Sequence, residues 1–445
     1  MHQRKDALSW GRTHHFTHQM AQPGFADELP AILKTRGGHS VLARGLGRSY
    51  GDSGLNADNI LIDMRALDHV RGFDQATGVL DAEAGVTLKG IIELCAHHGA
   101  AWFLPVTPGT KFVTLGGAIA NDVHGKNHHG AGCFGNHVLS LRLMRSDGTV
   151  LTCSRGENAD LFHATLGGMG LTGLILSARL ALKSVPGLWV ESEDIRYDSL
   201  DEFYALTNES LEGWEYTVAW IDCLARGAAT GRGIFSRSRH AAASLPSPCV
   251  VDPHFALPFD LPYIALNKLT LAAFNALYIR KAPRRPARKR TSFDAAFYPL
   301  DAIGQFNRLY GRRGFYQYQC AVPTRSERDA TRALLTEISQ AGVGSFLAVL
   351  KTFGDKPSPG MMSFPMAGTT LALDFANDGA STLALLSRLD AITRAAGGRI
   401  YPAKDGRVSA ADFQAGYPQW RDFARFIDSG FSSSFWRRVS AGVAA

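Results

Sequence analysis

The chain has 445 residues, 45% hydrophobic and 20% charged, enough for two or three domains of roughly 150 residues and for a large buried core. Such a composition, with no long biased tract, excludes a fibrous or disordered protein, and no apolar run reaches the length that spans a bilayer. Net charge is +7, and the opening "MHQRKDALSWGRTHHFTH" has no apolar h-region and no small-residue cleavage site, so a cytoplasmic chain without a secretory signal or transmembrane helix is expected.

In chain order, "HSVLARG" (39–45) predicts a strand running into a glycine loop, and "NILIDM" (59–64) and "GVLDAEAG" (78–85) predict two more strands. "TLKGIIELCAHHG" (87–99) places Leu88, Ile91, Ile92 and Cys95 at helical spacing and ends at Gly99, a C-cap signal. "SLRLMRSDGTVLTC" (140–153) reads as a hairpin turning at Asp147–Gly148. "ADLFHATLGGMG" begins as a helix and breaks at glycines, and "LTGLILSARLAL" (171–182) is another strand. The texture changes near Pro186. From 187 to 395, helical patterns such as "LDEFYALTNESLEGW" and "SERDATRALLTEISQAG" alternate with antiparallel-looking strands, "GFYQYQCAV", "SFLAVLKTF" and "TTLALDF", which suggests an α+β domain. "TLALLSRLDAITRAAGG" closes that region, and the tail from Arg399 returns to short strands and loops.

The 46 glycines are densest in the first 175 residues and imply close backbone approaches there. "VLARGLGRSYGD" (41–52) feeds a strand into a loop with Gly45 and Gly47. Its spacing is not the dinucleotide fingerprint, so it is either a phosphate cradle made of backbone N–H groups or a plain tight turn. "GGMGLTG" does hold G-x-G-x-x-G at Gly168, Gly170 and Gly173, but a helix precedes it and a strand follows, the reverse of Rossmann order. In "PVTPGTKFVTLGGAIANDVHGKNHHGAG" (105–132), Gly116 and Gly117 adjoin Ala118 and Ala120. Backbone there must lie against something large and flat or against other backbone. Thr110, Thr114 and Asn121 offer hydroxyl and amide partners, and His124 and Lys126 offer positive ones. His124 and His128 have a zinc-like spacing if helical. Gly125, Gly130 and Gly132 argue against a helix, however, and Asp122 is the lone nearby carboxylate. No metal is expected, and His128, His129 and His137 read as structural. The cysteines (Cys95, Cys133, Cys153, Cys223, Cys249, Cys320) form no C-x-x-C pair and read as free thiols.

Taken together, "ARGLGRSYGDSGLN", "TPGTKFVTLGGAIANDVHGKNHH", "CFGNHV" and "LFHATLGGMGLTG" resemble the FAD-binding (PCMH-type) fold of the vanillyl-alcohol-oxidase superfamily, and within it the decaprenylphosphoryl-β-D-ribose 2-oxidase family. "LSWGR" near Trp10, "AAFNALYIRKAPR", "FYPLD", "YGRRGFYQYQ", "FLAVLKTFG", "SFPMAGTTLALDF" and "GGRIYPAKD" continue the likeness over nearly the whole chain. The resemblance implies a two-part FAD-binding domain, 1–186 plus 396–445, with an inserted α+β substrate (cap) domain, 187–395, on an antiparallel sheet. It implies that Arg44, Gly45, Leu46, Gly47, Arg48 and Ser49 hold the pyrophosphate end and that Tyr50 packs on the flavin. Thr110, Thr114, Gly116, Gly117, Ala118, Asn121, His124 and Gly125 would lie along the flavin, with Gly173 and Tyr401 also at the cofactor. Lys404, His124 and Lys126 are the expected catalytic residues, and Gln319, Tyr318, Lys351 and Tyr298 the expected substrate contacts, although alternation in "YQYQ" admits only one of each pair to the site. Relatives that attach FAD covalently do so through a histidine in the first glycine loop. Arg48 stands there and 41–56 has neither His nor Cys, so non-covalent FAD is expected. Actinobacterial relatives have a cysteine where this chain has Ala372. The implied reaction oxidises the 2-hydroxyl of a polyprenylphosphoryl ribose, and an NADH-dependent short-chain reductase completes an epimerisation to arabinose.

"RKAPRRPARKR" (280–290) carries seven basic residues and no acid. Alone it is a solvated loop or a site for an anionic partner. No aromatic residue is interleaved, so nucleic acid is not expected. With the apolar stretch before it, 261–290 is either a core helix with a basic loop or an interfacial segment that docks the chain on the inner face of a membrane. The alternative enzyme is an FAD-linked oxidase or dehydrogenase of a soluble alditol, aldonolactone or nucleotide sugar. A non-catalytic basic binding protein would hold no flavin.

Overall fold

A computed structural model describes residues 2–4, 7–99, 101–242, 248–262 and 267–441. The first half builds two sheets. Strands β1 (His2–Arg4), β2 (His18–Ala21), β3 (Val41–Arg44) and β4 (Ile60–Asp63) take the order β1-β2-β4-β3, with β2 and β3 parallel to β4. Every residue of β4 is buried, as expected for a parallel strand covered on both faces. The second sheet is antiparallel. It joins β5 (Val70–Asp74), β6 (Val79–Glu83), β8 (Val138–Met144), β9 (Val150–Ser154) and β10 (Leu174–Ala181) in the order β5-β6-β10-β8-β9, while β7 (Trp102–Phe103) pairs with β11 (Lys183–Ser184) in a small ribbon. The β8–β9 hairpin turns at Asp147–Gly148 as expected, with Gly148 at φ +87°. Helices Leu88–His97 and Leu115–Ala120 start at Thr87 and Thr114, whose hydroxyls accept from the N–H three residues on. Their apolar residues Leu88, Ile91, Leu115 and Ile119 meet Leu80, Leu141 and Leu180 in one core.

The middle of the chain forms an eight-stranded antiparallel sheet. Its strands are β12 (Trp189–Tyr197), β13 (Tyr216–Ile221), β14 (Gly233–His240), β16 (Arg288–Ser292), β18 (Phe315–Pro323), β19 (Ala348–Phe353), β20 (Gly368–Ala376) and β21 (Arg399–Ile400), in the order β16-β12-β14-β13-β19-β20-β18-β21. A parallel ribbon, β15 (Phe255–Ala256) with β17 (Ile303–Gly304), lies outside it. Helices Glu327–Ala341 and Ala380–Ala395 cover one face, where Leu334, Ile338, Leu385 and Leu389 pack on Tyr318, Cys320, Leu371 and Leu373. Alternation then sends Gln317, Gln319, Val349, Lys351, Thr370 and Ala372 to the other face. No described helix is long and apolar enough to cross a membrane.

Three features differ from the sequence reading. The tail is not only strand and loop: it makes short helices Ala410–Gly416, Trp420–Ala424 and Ser434–Val439, whose Phe413, Phe423, Phe435 and Val439 pack on Leu42 and Leu61 of the first sheet. Helices this short show no periodicity that a sequence window can detect. Residues His128–Ala131 form one helical turn despite Gly130, but His124 lies outside it, so the zinc-like spacing never comes onto one face. The basic run is partly strand: Arg288–Arg290 belong to the edge strand β16, and Arg284, Arg288 and Lys289 pair with Asp198, Glu193 and Asp194.

Candidate active site

A long cleft separates the first half of the chain from the open face of the large sheet. One wall is nearly all backbone. Arg44 to Tyr50, Ala84, Thr114, Gly116, Gly117, Asn121, Gly170 and Gly173 line it. Arg44 ends β3, and its guanidinium donates to the carbonyl of Leu8 at 2.7 Å, which anchors the loop that follows. A Cβ on Gly45 would stand 2.4 Å from Thr114 Oγ1, so the two glycine loops touch where any side chain would separate them.

The opposite wall carries most of the polar side chains. Gln317 and Gln319 of β18, Val349 and Lys351 of β19 and Thr370 and Ala372 of β20 line it, and Tyr401 and Lys404 enter from the tail. His124 bridges the walls. Its Nε2 lies 3.1 Å from the Gln319 amide and its Nδ1 3.3 Å from Lys351 Nζ. Burial, then the charge of Lys351, holds the imidazole well below its usual pKa, so it is neutral. The Gln319 amide nitrogen that faces His124 Nε2 also donates to Thr370 Oγ1 at 3.3 Å. Burial and the neighbouring Lys126 and Lys404 push Lys351 down to about 7. Tyr401 stacks on Phe364 at 4.5 Å, and its hydroxyl donates to the carbonyl of Asn121 at 3.1 Å. Lys404 Nζ lies 3.8 Å from the centre of the Tyr50 ring. Burial lowers its pKa, and Asp374 opposes that shift.

The Lys404 turn is locked to the first glycine loop. The Tyr50 N–H donates to the carbonyl of Ala403 at 2.8 Å. Arg438, from the last helix, clamps Asp52 at 2.7 Å and Asp405 at 2.9 Å.

Five of the expected residues lie outside the cleft. Tyr318 is on the helix-covered face, where its hydroxyl and that of Thr393 are 2.8 Å apart; strand alternation excludes it once Gln319 faces inward. Tyr298 is buried with its hydroxyl 2.6 Å from Thr107 Oγ1. Lys126 runs away from the cleft and donates to the carbonyl of Ala296 at 2.6 Å, and burial lowers it to about 8. Ala118 faces the core, and Gly125 lies against Thr107 and Asn127. Thr110 does line the cleft. His128 packs on Phe353 at 4.6 Å, His129 reaches the carbonyl of Trp214, and His137 that of Ala131. Gln317 and Thr370 were missed; the alternation that removes Tyr318 also points to Gln317, on the same face as Gln319.

Residues 18–154 match the FAD binding domain family. Over 98% of this chain and 97% of its own length, the decaprenylphosphoryl-β-D-ribose oxidase of Mycolicibacterium smegmatis is 36% identical. The chain belongs to the decaprenylphosphoryl-β-D-ribose oxidase family. A Streptomyces coelicolor protein from the mprA 5′ region is 37% identical over 80% of this chain and 100% of its own length. Mouse L-gulonolactone oxidase is 30% identical over 39% of each chain. Like others of its family, the protein is an FAD-dependent oxidoreductase. Its cleft fits that cofactor: Gly45 and Gly116, where a Cβ would collide with Thr114 and Ala84, keep the wall bare backbone, which suits a flat ring system, and the glycine loop with Arg44 and Arg48 suits a pyrophosphate.

Proposed function

We propose that this enzyme oxidises the 2-hydroxyl of a polyprenylphosphoryl-β-D-ribose to the 2-keto sugar, the first half of an epimerisation that an NADH-dependent short-chain reductase completes. The observation that carries this reading is the convergence of Gln319, Lys351, Lys404 and neutral His124 on the wall facing the glycine loops. In this reading Arg44 to Tyr50 hold the pyrophosphate of FAD, and Thr114, Gly116, Gly117, Asn121, Gly170, Gly173 and Tyr401 border its ring system. FAD supplies the two-electron acceptor for hydride. Lys404 meets the reacting hydroxyl, Gln319 and Gln317 orient the sugar, and Lys351 attracts the phosphate. Tyr318, Tyr298 and Lys126 have no part in it. The test is anaerobic bleaching of the flavin by prenylphosphoryl ribose, set against an alditol, an aldonolactone and a nucleotide sugar. Bleaching by a soluble sugar alone would move the enzyme to the alternative class. Mouse L-gulonolactone oxidase shares only 39% of the chain, which gives that alternative less support.

FAD is held here without a covalent bond. Among the described residues, the cleft lining has no cysteine and a single histidine, His124, which Gln319 and Lys351 engage. Acid precipitation is expected to leave the yellow chromophore in the supernatant. Colour that stays with the pellet rejects this.

A membrane surface is the proposed setting, with the enzyme peripheral at the inner face. Helix Lys268–Tyr278 exposes Leu269 (80%) and Leu277 (67%), and the preceding segment exposes Phe255 (55%) and Phe259 (64%). Arg280, Lys281, Arg284 and Arg285 follow and are exposed. Residues 263–266 of the expected docking stretch lie outside the described residues. Apolar burial plus about 1 kcal/mol per basic residue near an anionic surface makes peripheral binding favourable. Flotation with phosphatidylserine-containing liposomes is expected to carry the protein up, and neutral liposomes to carry much less. A Leu269→Ser/Leu277→Ser variant that floats as well as the native protein removes this helix from the contact.

A further inference from the structure

The cleft lining includes an aromatic pair that the reaction leaves unused. Trp10, Leu300 and Phe306 all line the cleft. The Trp10 and Phe306 rings meet edge to face, with centres 5.3 Å apart. Their backbones are pinned: the Trp10 N–H donates to the carbonyl of Ser49 at 2.8 Å, and the Asn307 side-chain amide donates to the carbonyl of Trp10 at 3.1 Å. The Arg48 guanidinium lies 4.0 Å from the centre of the Trp10 ring and helps fix its tilt. The pair is also close to the lysine of the tail. Gly11, next to Trp10, donates its N–H to the carbonyl of Tyr50 at 3.1 Å, and Lys404 Nζ lies 3.8 Å from the centre of the Tyr50 ring. A group attached to a sugar held at Lys404 therefore has Trp10 and Phe306 within reach just beyond Tyr50.

The segment that carries Leu300 and Phe306 reaches the surface on its other side. Its backbone is bonded there by a strap, residues 254–261. The N–H groups of His254, Leu257 and Leu261 donate to the carbonyls of Ala302, Gly304 and Arg308 at 3.0, 3.0 and 2.9 Å. The Arg308 guanidinium donates in return to the carbonyls of Leu257 and Pro258 at 2.8 and 2.7 Å. Arg12, just past Trp10, clasps Asp260 of the strap with both terminal nitrogens, at 2.5 and 3.1 Å. Phe255 and Phe259 of the strap stay exposed. One thin wall thus carries aromatic rings on both faces, Phe306 toward the cleft and Phe259 toward the outside. Its acid, Asp301, accepts from the Lys111 N–H at 2.9 Å.

We propose that Trp10 and Phe306, with Leu300 of the same segment, seat the isoprene units nearest the phosphate of the lipid-linked substrate and so determine specificity for a prenylated sugar. The proposal rests on the reading of that substrate as a polyprenylphosphoryl ribose. An alditol or an aldonolactone has no group that gains from two aromatic rings, whereas each isoprene unit laid against them leaves water. The rest of the chain passes along the strap at Phe259 to the face proposed to meet the membrane, so the lipid stays partly in the bilayer while its sugar reaches Lys404. Trp10 and Phe306 touch no reacting atom. Their loss therefore weakens binding of the prenylated substrate and leaves the hydride step alone.

The test uses the FAD-loaded enzyme and anaerobic bleaching by farnesylphosphoryl-β-D-ribose and by the matching methyl phosphate of β-D-ribose, which lacks the prenyl chain. Phe306→Ala is expected to raise the half-saturating concentration of the farnesyl substrate about tenfold, to change its limiting rate by less than about twofold, and to leave kcat/KM for the methyl phosphate within about twofold. Phe306→Leu, which restores an apolar side chain, is expected to recover most of the loss. Equal weakening of both substrates, or of neither, overturns the proposal, because a merely structural role does not distinguish them. A second measurement needs no variant. A farnesyl chain with a diazirine in its first isoprene unit, photolysed on the native enzyme, is expected to label Trp10, Leu300 or Phe306, and label confined to other residues overturns the proposal. If neither ribose bleaches the flavin while the label lands on these residues, the proposed reaction fails and the apolar seat stands.

Discussion

Replacing Lys404 by methionine is expected to lower kcat by a factor on the order of 10²–10⁴ with FAD still bound. Methionine keeps most of the side-chain length, so the contact with Tyr50 survives in part, but the ammonium is gone. A positioned proton acceptor and a cation beside a reduced flavin each contribute a factor of that size, and Lys404 is the cation that reaches the cleft from the tail. The flavin wall is made by other residues, so cofactor content should stay near that of the native enzyme. Single-turnover reduction of the flavin separates the two quantities. A variant with native kcat removes Lys404 from the reaction, and a variant without flavin makes it a cofactor-binding residue.

Gly51→Ala is expected to cost about 3 kcal/mol in stability, the upper part of the range for overpacking, and to release FAD. A Cβ on Gly51 would stand 1.7 Å from the carbonyl oxygen of Asp405 and 2.6 Å from Gly406 Cα. Both are backbone atoms, so neither can rotate away. The Tyr50–Ala403 hydrogen bond and the residues that Arg438 clamps, Asp52 and Asp405, lie within two residues of the clash. Separating the two loops therefore opens the cofactor loop and displaces Lys404 together. Gly72→Ala is the control, since nothing lies within 4 Å of a Cβ there. Melting temperature and flavin fluorescence report the two losses, and a variant that melts with the native enzyme and keeps its flavin rejects this account.

The glycine wall was legible in the sequence because close backbone approach restricts residue type: Gly45, Gly116 and Gly117 stand where a side chain would collide. The large sheet was legible from "YQYQ" and "TTLALDF", whose period of two reports one covered and one open face. The identity of the open face was less plain. A tyrosine and a glutamine are both plausible substrate contacts, and only the leucines of the helices Glu327–Ala341 and Ala380–Ala395 decide that Tyr318 is core. Lys126 misled for a related reason. It follows His124 by two residues, but the chain turns at Gly125 and sends its ammonium to a backbone carbonyl far along the sequence. The tail helices were hidden by their brevity, although their aromatic residues close the first core.

The junction of residues 49–52 with 403–406 bears on how the protein is made. The first loop leaves the ribosome well before its counterpart and Arg438. Regions made earlier tend to fold first during synthesis, so until Arg438 has been added the first loop lacks its brace, and until Lys404 has been added the cleft lacks its lysine from the tail. Stable cofactor loading is thus expected only once synthesis has passed Arg438.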